Sequence, residues 1–331
     1  MIIIAEKNGT LDALLEHVHA LDFKTDVSTG DERVVIGLIG DTRALAEDQF
    51  SPLPGVLEVR RITSKYKLVS RQFRPTHTVS IGRQVIGDVM PHPLIIAGPC
   101  AVETEEQALR TFAEIAPFAD VFRGFLYKPR TSPYEFQGLR EEGIHILQEV
   151  KRLYPEKPMV QEVLDPRHLD VLNAVTDVYQ IGMRNMYNYE LLQEVGRTGK
   201  PIILKRNCAA KLEEWLLAAE YIATTGNMQI ILCERGIRTS LSGEYSRNTP
   251  DLGVIPAIKT ASCLPIIFDP SHSTGHADMV EAMSSAALQL GAHGLEIDVM
   301  PVGYDRTKLR VDGAQAITAV ELERVARAAR K

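Results

Sequence analysis

Lys128, Arg130, Thr131 and Ser132 crowd around the rigid Pro129, directly after an apolar run that begins near Val121 and contains Arg123. An ammonium, guanidinium groups and two hydroxyls at that spacing suit an anion with several oxygens, such as a phosphate or a carboxylate. Other apolar runs also hand over to reactive side chains: Gly98-Pro99-Cys100, Glu162, Arg184, Lys205-Arg206, Glu234-Arg235, Asp269-Pro270-Ser271-His272, and Glu296 with Asp298. Arg123, Lys128, Arg130, Arg184, Lys205 and Arg235 would repel one another around one site unless anions joined them. A site for two anionic substrates resolves that repulsion. Cys100, His272, Asp312 and a carboxylate at Glu296 or Asp298 offer a thiolate, an imidazole and two carboxylates. That donor set suits one divalent metal ion such as Mn, Fe, Co or Zn, with a position left open. Singly, each has an ordinary alternative: a buried thiol, a histidine bonded to its own loop, an aspartate capping a helix.

The elements that must carry these residues alternate regularly. Apolar strand patterns fall at 94–97, 121–127, 158–164, 178–181, 201–205, 229–233, 265–268 and 294–299. Helical periodicity lies near 104–117, 137–154, 166–174, 188–197, 211–225, 251–261, 277–290 and 314–329. Eight βα units over about 235 residues give the arithmetic of a (β/α)8 TIM barrel, whose functional residues gather at the C-terminal strand ends. An open doubly wound sheet is the competitor, but no GxGxxG follows any strand. A short hairpin is expected over 79–89.

The first 62 residues read as a separate βαββαβ unit, ferredoxin-like, with strands near 1–5, 23–28, 33–39 and 56–62. Helices follow Thr10 and Asp41 or Thr42, the second running to Gln49, and the turn Thr29-Gly30-Asp31 separates the middle strands. Residues 63–77 read as a linker, and 78–331 as the catalytic barrel. The composition is that of a globular protein, with 45 % hydrophobic and 24 % charged residues. A formal net charge of −6 argues against nucleic-acid binding. No apolar stretch is long enough to span a membrane, and the start lacks a signal-peptide pattern. Four widely spaced cysteines without a CxxC pair fit a reducing, cytoplasmic setting.

Six segments in order, Gly98-Pro99-Cys100-Ala101-Val102-Glu103, Lys128-Pro129-Arg130-Thr131-Ser132, Ile181-Gly182-Met183-Arg184-Asn185, Leu204-Lys205-Arg206, Cys233-Glu234-Arg235-Gly236 and Asp269-Pro270-Ser271-His272-Ser273-Thr274-Gly275, carry a resemblance. Together they resemble the signature set of the type Iβ 3-deoxy-D-arabino-heptulosonate 7-phosphate (DAHP) synthases, over about 93–313. The N-terminal unit is similar to the ferredoxin-like regulatory domain of some members, which mediates feedback inhibition by tyrosine or phenylalanine. The resemblance implies condensation of phosphoenolpyruvate with erythrose 4-phosphate at the entry to aromatic biosynthesis, in a homo-tetramer or dimer. It implies that Arg123, Lys128, Arg184, Lys205 and Arg235 clamp phosphoenolpyruvate, and that Arg130, Thr131 and Ser132 take the sugar phosphate. It further implies that Cys100, His272, Asp298 and Asp312 hold the metal. Lys128, Glu162 and His272 would then stand at the reacting atoms.

The chain departs from that pattern at three points. Asp298-Val299-Met300-Pro301 replaces Glu-Val-His-Pro, Asn207 replaces a Gly, and Phe125-Leu126 replace smaller residues. Asp is one methylene shorter than Glu, so either the metal shifts or Glu296, on the same strand face, takes its place. Two rivals follow. One is 3-deoxy-manno-octulosonate 8-phosphate synthase, which lacks the Lys-Pro-Arg-Thr loop. The other is a non-catalytic effector-binding barrel.

Overall fold

The computed structural model describes residues 1–30, 32–61 and 64–330. The expected turn position Asp31, strand end Ile62, linker start Thr63 and terminal Lys331 lie outside them. The described chain divides into two compact units, Met1–Pro75 with Ala261–Cys263, and Thr76–Thr260 with Leu264–Lys331.

In the first unit, β1 (Ile2–Glu6), β2 (Lys24–Thr29), β3 (Arg33–Ile39) and β4 (Val56–Arg60) form an antiparallel sheet in the order β2-β3-β1-β4. Helix Leu11–Ala20 lays Leu14 and Val18 against Ile3, Val34 and Ile36 in one buried cluster. The second expected helix is reduced to a 3-10 turn, Glu47–Gln49. The Asp41 carboxylate accepts the Arg43 backbone N–H at 3.1 Å, a local turn that competes with helix, and Ala46 is extended.

The second unit opens with a hairpin, β5 (Thr78–Ile81) and β6 (Gln84–Gly87). Eight parallel strands follow: β7 (Leu94–Gly98), β8 (Val121–Arg123), β9 (Met159–Glu162), β10 (Val178–Ile181), β11 (Ile202–Lys205), β12 (Ile230–Glu234), β13 (Ile266–Phe268) and β14 (Gly294–Met300). Each pairs with the next, and β14 pairs with both β13 and β7, so the sheet closes into a barrel. Strands covered on both faces must be apolar throughout, which explains runs such as Ile230-Ile231-Leu232. The hairpin's Val79, Ile81 and Ile86 share a buried cluster with Leu94, Val121 and Val178 at the strand starts. It stoppers that end.

Several expected elements are shorter than their patterns. The helix expected over 137–154 runs only Ile144–Leu153 after a 3-10 turn, and 166–174 holds a four-residue helix, Leu169–Leu172, between 3-10 turns. β8 ends at Arg123 rather than 127, because the Gln161 amide takes over the ladder there. Its Nε2 donates to Gly124 O at 2.6 Å and its Oε1 accepts from Leu126 N at 3.3 Å. The last helix starts at Ala319, where Thr318 and Glu321 form a capping box. Packing sets the stability of the barrel wall. Phe122 is fully buried, 4.8 Å from the Phe112 ring and 5.5 Å from Tyr154. Phe122→Ala should cost about 3–5 kcal/mol, read as a lower urea midpoint at unchanged slope; a loss below about 1 kcal/mol would contradict this packing.

Candidate active site

The C-terminal strand ends converge on a cavity of about 360 Å3. Glu162, Lys205 and Arg235 reach it from three strand ends, with Lys128, Arg130, Thr131 and Arg184 on the loops that follow β8 and β10. Among the described residues its wall carries seven Lys and Arg side chains against three carboxylates, Glu135, Glu162 and Asp312. That imbalance favours anions.

Arg235 shows the imbalance most directly. It is 5 % exposed, its Nη1 has no hydrogen-bond partner, and burial and the nearby Arg247 hold its pKa below the usual guanidinium value despite Asp269. A buried guanidinium without a paired carboxylate is costly until an anion arrives. Arg184 Nη2 donates to Thr131 Oγ1 at 3.4 Å, which ties the Lys128–Ser132 loop to the next strand but one. Arg130 is held by Glu135 at 3.0 Å.

On one side of the cavity lie Cys100, His272, Asp298 and Asp312, with candidate ligand atoms all within 4.8 Å of one another. Cys100 Sγ is 3.6 Å from His272 Nε2 and 3.1 Å from Asp312 Oδ2. Lys128 Nζ donates to the same sulfur at 3.3 Å. Burial pushes the Cys100 thiol up, but Lys128 and His272 outweigh it and the net shift is downward, toward thiolate. Asp312 holds a left-handed backbone, φ 54°, and its carboxyl lies far below the ordinary range because His272 and Arg247 overcome its burial. Thiolate, imidazole and carboxylate form a donor set that a divalent transition metal fits.

His272 sits in the first turn after Asp269, whose carboxylate caps the short helix Pro270–Thr274 by accepting His272 N–H at 2.8 Å. The other Asp269 oxygen lies 2.9 Å from Nδ1. Burial alone would lower the imidazole pKa, yet Asp269 prevails and lifts it to about 9. A raised histidine pKa contributes stability that is complete below its unfolded value and fades as pH climbs through the folded one. In chelator-treated protein, the stability gap between the native chain and His272→Gln should therefore narrow from about pH 6.5 to about pH 9. Urea midpoints across that range would show it; a constant gap would assign the titration elsewhere.

Some expected site residues stand apart from the cavity. Arg123 is fully buried below it, paired with Glu296 at 3.2 Å and in closer contact with Asp298, and does not line the wall. Ser132 turns back, its Oγ accepting Tyr134 N–H at 3.3 Å, and lies off the wall. Glu296 keeps to the barrel interior, 3.3 Å from Lys205. Conversely, Arg238, Arg247, Asn248 and Gln180 line the cavity without having been singled out. The first three lie in the long segment after β12, where no periodicity marked them. Gln180 is a neutral residue one place before a strand end.

The DAHP synthetase I family model matches residues 76–331, and the DAHP synthase ferredoxin-like domain matches 1–64. The chain is 42 % identical over 322 residues to the phospho-2-dehydro-3-deoxyheptonate aldolase of Thermotoga maritima, covering 96 % of this chain and 93 % of the relative. The crystal structure of the Thermotoga maritima phospho-2-dehydro-3-deoxyheptonate aldolase (DAHP synthase) is similar with a TM-score of 0.75 at 40 % identity, over 98 % and 95 % of the two chains. A 2-dehydro-3-deoxyphosphooctonate aldolase from Methylococcus capsulatus is 32 % identical over 64 % of this chain and 80 % of its own.

Proposed function

Because this chain belongs to the DAHP synthetase I family, we propose that it condenses phosphoenolpyruvate with erythrose 4-phosphate to give DAHP and phosphate, the first step of the shikimate pathway. The observation that carries this reading is the cation-rich cavity set directly against the Cys100–His272–Asp298–Asp312 cluster. That cluster would hold one divalent metal ion, which when bound supplies a Lewis acid for the aldehyde oxygen.

The chain's own residues do the rest. Arg184, Lys205 and Arg235 hold the phosphate and carboxylate of phosphoenolpyruvate, while Arg130 and Thr131 take the phosphate of the sugar. C3 of the enol attacks the aldehyde carbon, and Lys128 donates a proton to the resulting alkoxide or stabilises it as a point charge. Water adds to the cation left at C2. Glu162, 3.5 Å from Lys128 Nζ, orients that water and accepts its proton. Loss of phosphate from C2 leaves the ketone. Fixing two anions side by side supplies much of the rate.

The test is consumption of phosphoenolpyruvate by chelator-treated protein, with Mn, Fe, Co or Zn restored singly and with erythrose 4-phosphate or arabinose 5-phosphate as acceptor. Metal-restored turnover with the four-carbon sugar is expected. Turnover with arabinose 5-phosphate alone would assign the activity named for the Methylococcus relative. Silence in every metal would point to a non-catalytic barrel. The N-terminal unit supports feedback control by tyrosine or phenylalanine. Inhibition by either is expected in the full chain and should vanish from a chain starting at Thr76. No helix among the described residues is long and apolar enough to cross a membrane.

A further inference from the structure

Resting on the reading that the cluster holds a divalent metal, we infer that three of its four members are ligands, Cys100, His272 through Nε2, and Asp312, and that Asp298 stands outside the shell as a positioning carboxylate. The three form a triangle. Cys100 Sγ and Asp312 Oδ2 are 3.1 Å apart, and each lies 3.6 Å from His272 Nε2. Bonds of about 2.0–2.3 Å to nitrogen, oxygen and sulfur in a tetrahedral shell separate neighbouring ligand atoms by about 3.3–3.8 Å. The triangle comes close to that spacing with little movement.

Asp298 approaches from the other side of the ring. Its Oδ2 lies 3.5 Å from Nδ1, the nitrogen turned away from Cys100 and Asp312. Oδ2 accepts from Gln315 Nε2, while Oδ1, which makes no hydrogen bond, is in ion-pair contact with Arg123. All three of these side chains are fully buried. Among the described residues, the carboxylates paired with Arg123 are Glu296 and Asp298. Moving Asp298 to a metal would strip a buried guanidinium of one of two counter-charges, which is expensive.

Charge leads to the same assignment. A thiolate and one carboxylate neutralise a divalent ion, while Asp298 is neutralised by Arg123 and so adds no charge that the ion requires. Asp298 and Asp269 then both face Nδ1 and fix the ring, the outer-carboxylate arrangement that orients ligating histidines.

Cobalt(II) is the probe, titrated calorimetrically into chelator-treated full-length protein and read also by absorption, where thiolate charge-transfer and ligand-field bands report the shell. Asp298→Asn is expected to keep one ion per chain and the native bands, with affinity lowered by about tenfold to a hundredfold. Cys100→Ala and Asp312→Asn are expected to lose the native bands. Asp298→Glu, one methylene longer, should reach the ion and weaken the ligand-field bands as coordination number rises; this variant decides the matter if Asp298→Asn fails to fold. Loss of the native bands in Asp298→Asn, or unchanged bands in Asp298→Glu, would overturn the assignment. A native chain that binds no cobalt would instead remove the metal reading on which it rests.

Discussion

Replacing Lys128 with Met is expected to lower kcat by about a thousandfold at saturating metal and substrates. Lys128 Nζ stands between the metal-ligand cluster and the candidate water-orienting carboxylate, 3.3 Å from Cys100 Sγ and 3.5 Å from Glu162 Oε2. It also lies 4.9 Å from the centre of the Phe125 ring, in a wall that excludes water on that side. A charge held there is worth far more to a developing alkoxide than the same charge in solvent. Met keeps the length and volume of the stem, so the packing against Phe125 survives and the fold should hold. Because Lys128 also draws the Cys100 thiol toward thiolate, metal affinity will weaken, and the assay needs excess metal. A loss smaller than tenfold, or one confined to KM, would remove Lys128 from the chemical step.

The second large effect belongs to Arg235. Arg235→Met should raise the KM for phosphoenolpyruvate by about a hundredfold with a smaller change in kcat. The argument is the unpartnered Nη1, nine-tenths buried on the cavity wall. A charge-assisted pair with phosphate contributes about 1.5–3 kcal/mol, and a bidentate one lies at the upper end. Among the described residues no carboxylate is hydrogen-bonded or ion-paired to Arg235, and Asp269 keeps Lys205 and His272 as partners, so the stability of the variant should equal or exceed that of the native chain. Steady-state kinetics with each substrate varied in turn would separate the cases. An equal rise in the KM for the sugar phosphate would mean that Arg235 serves the cavity's general field rather than one anion.

The barrel was legible in the sequence because its strands are buried on both faces and five of the eight end in, or lead at once to, a charged residue. Ile202–Lys205 and Ile230–Glu234 announce both facts in a few residues. Lys128, Lys205, Arg235 and His272 could be located because each follows such a run at once. What escaped depended on side chains far apart in sequence. The early end of β8 is set by Gln161, on another strand. The short Glu47–Gln49 turn is set by Asp41 preferring its own local bond. Arg123 reads as a ligand for an anion, yet its anions are Glu296 and Asp298, more than 170 positions away in the chain. Arg247 becomes visible only once Asp312 is seen 2.9 Å from its guanidinium.

The seam of the barrel has a bearing on how the protein is made. β7 forms one of its two ladders with β14, Leu94 lying opposite Gly294, so about two hundred residues separate partners that are adjacent in the finished sheet. At about 5–20 residues per second, β7 emerges from the ribosome some 10–40 seconds before β14 exists. Throughout that interval its Leu94-Ile95-Ile96-Ala97 edge offers unpaired backbone groups and apolar side chains to any other nascent strand. Truncated or stalled chains that lack β14 would keep that edge open permanently, and such fragments should aggregate rather than accumulate as soluble partial barrels.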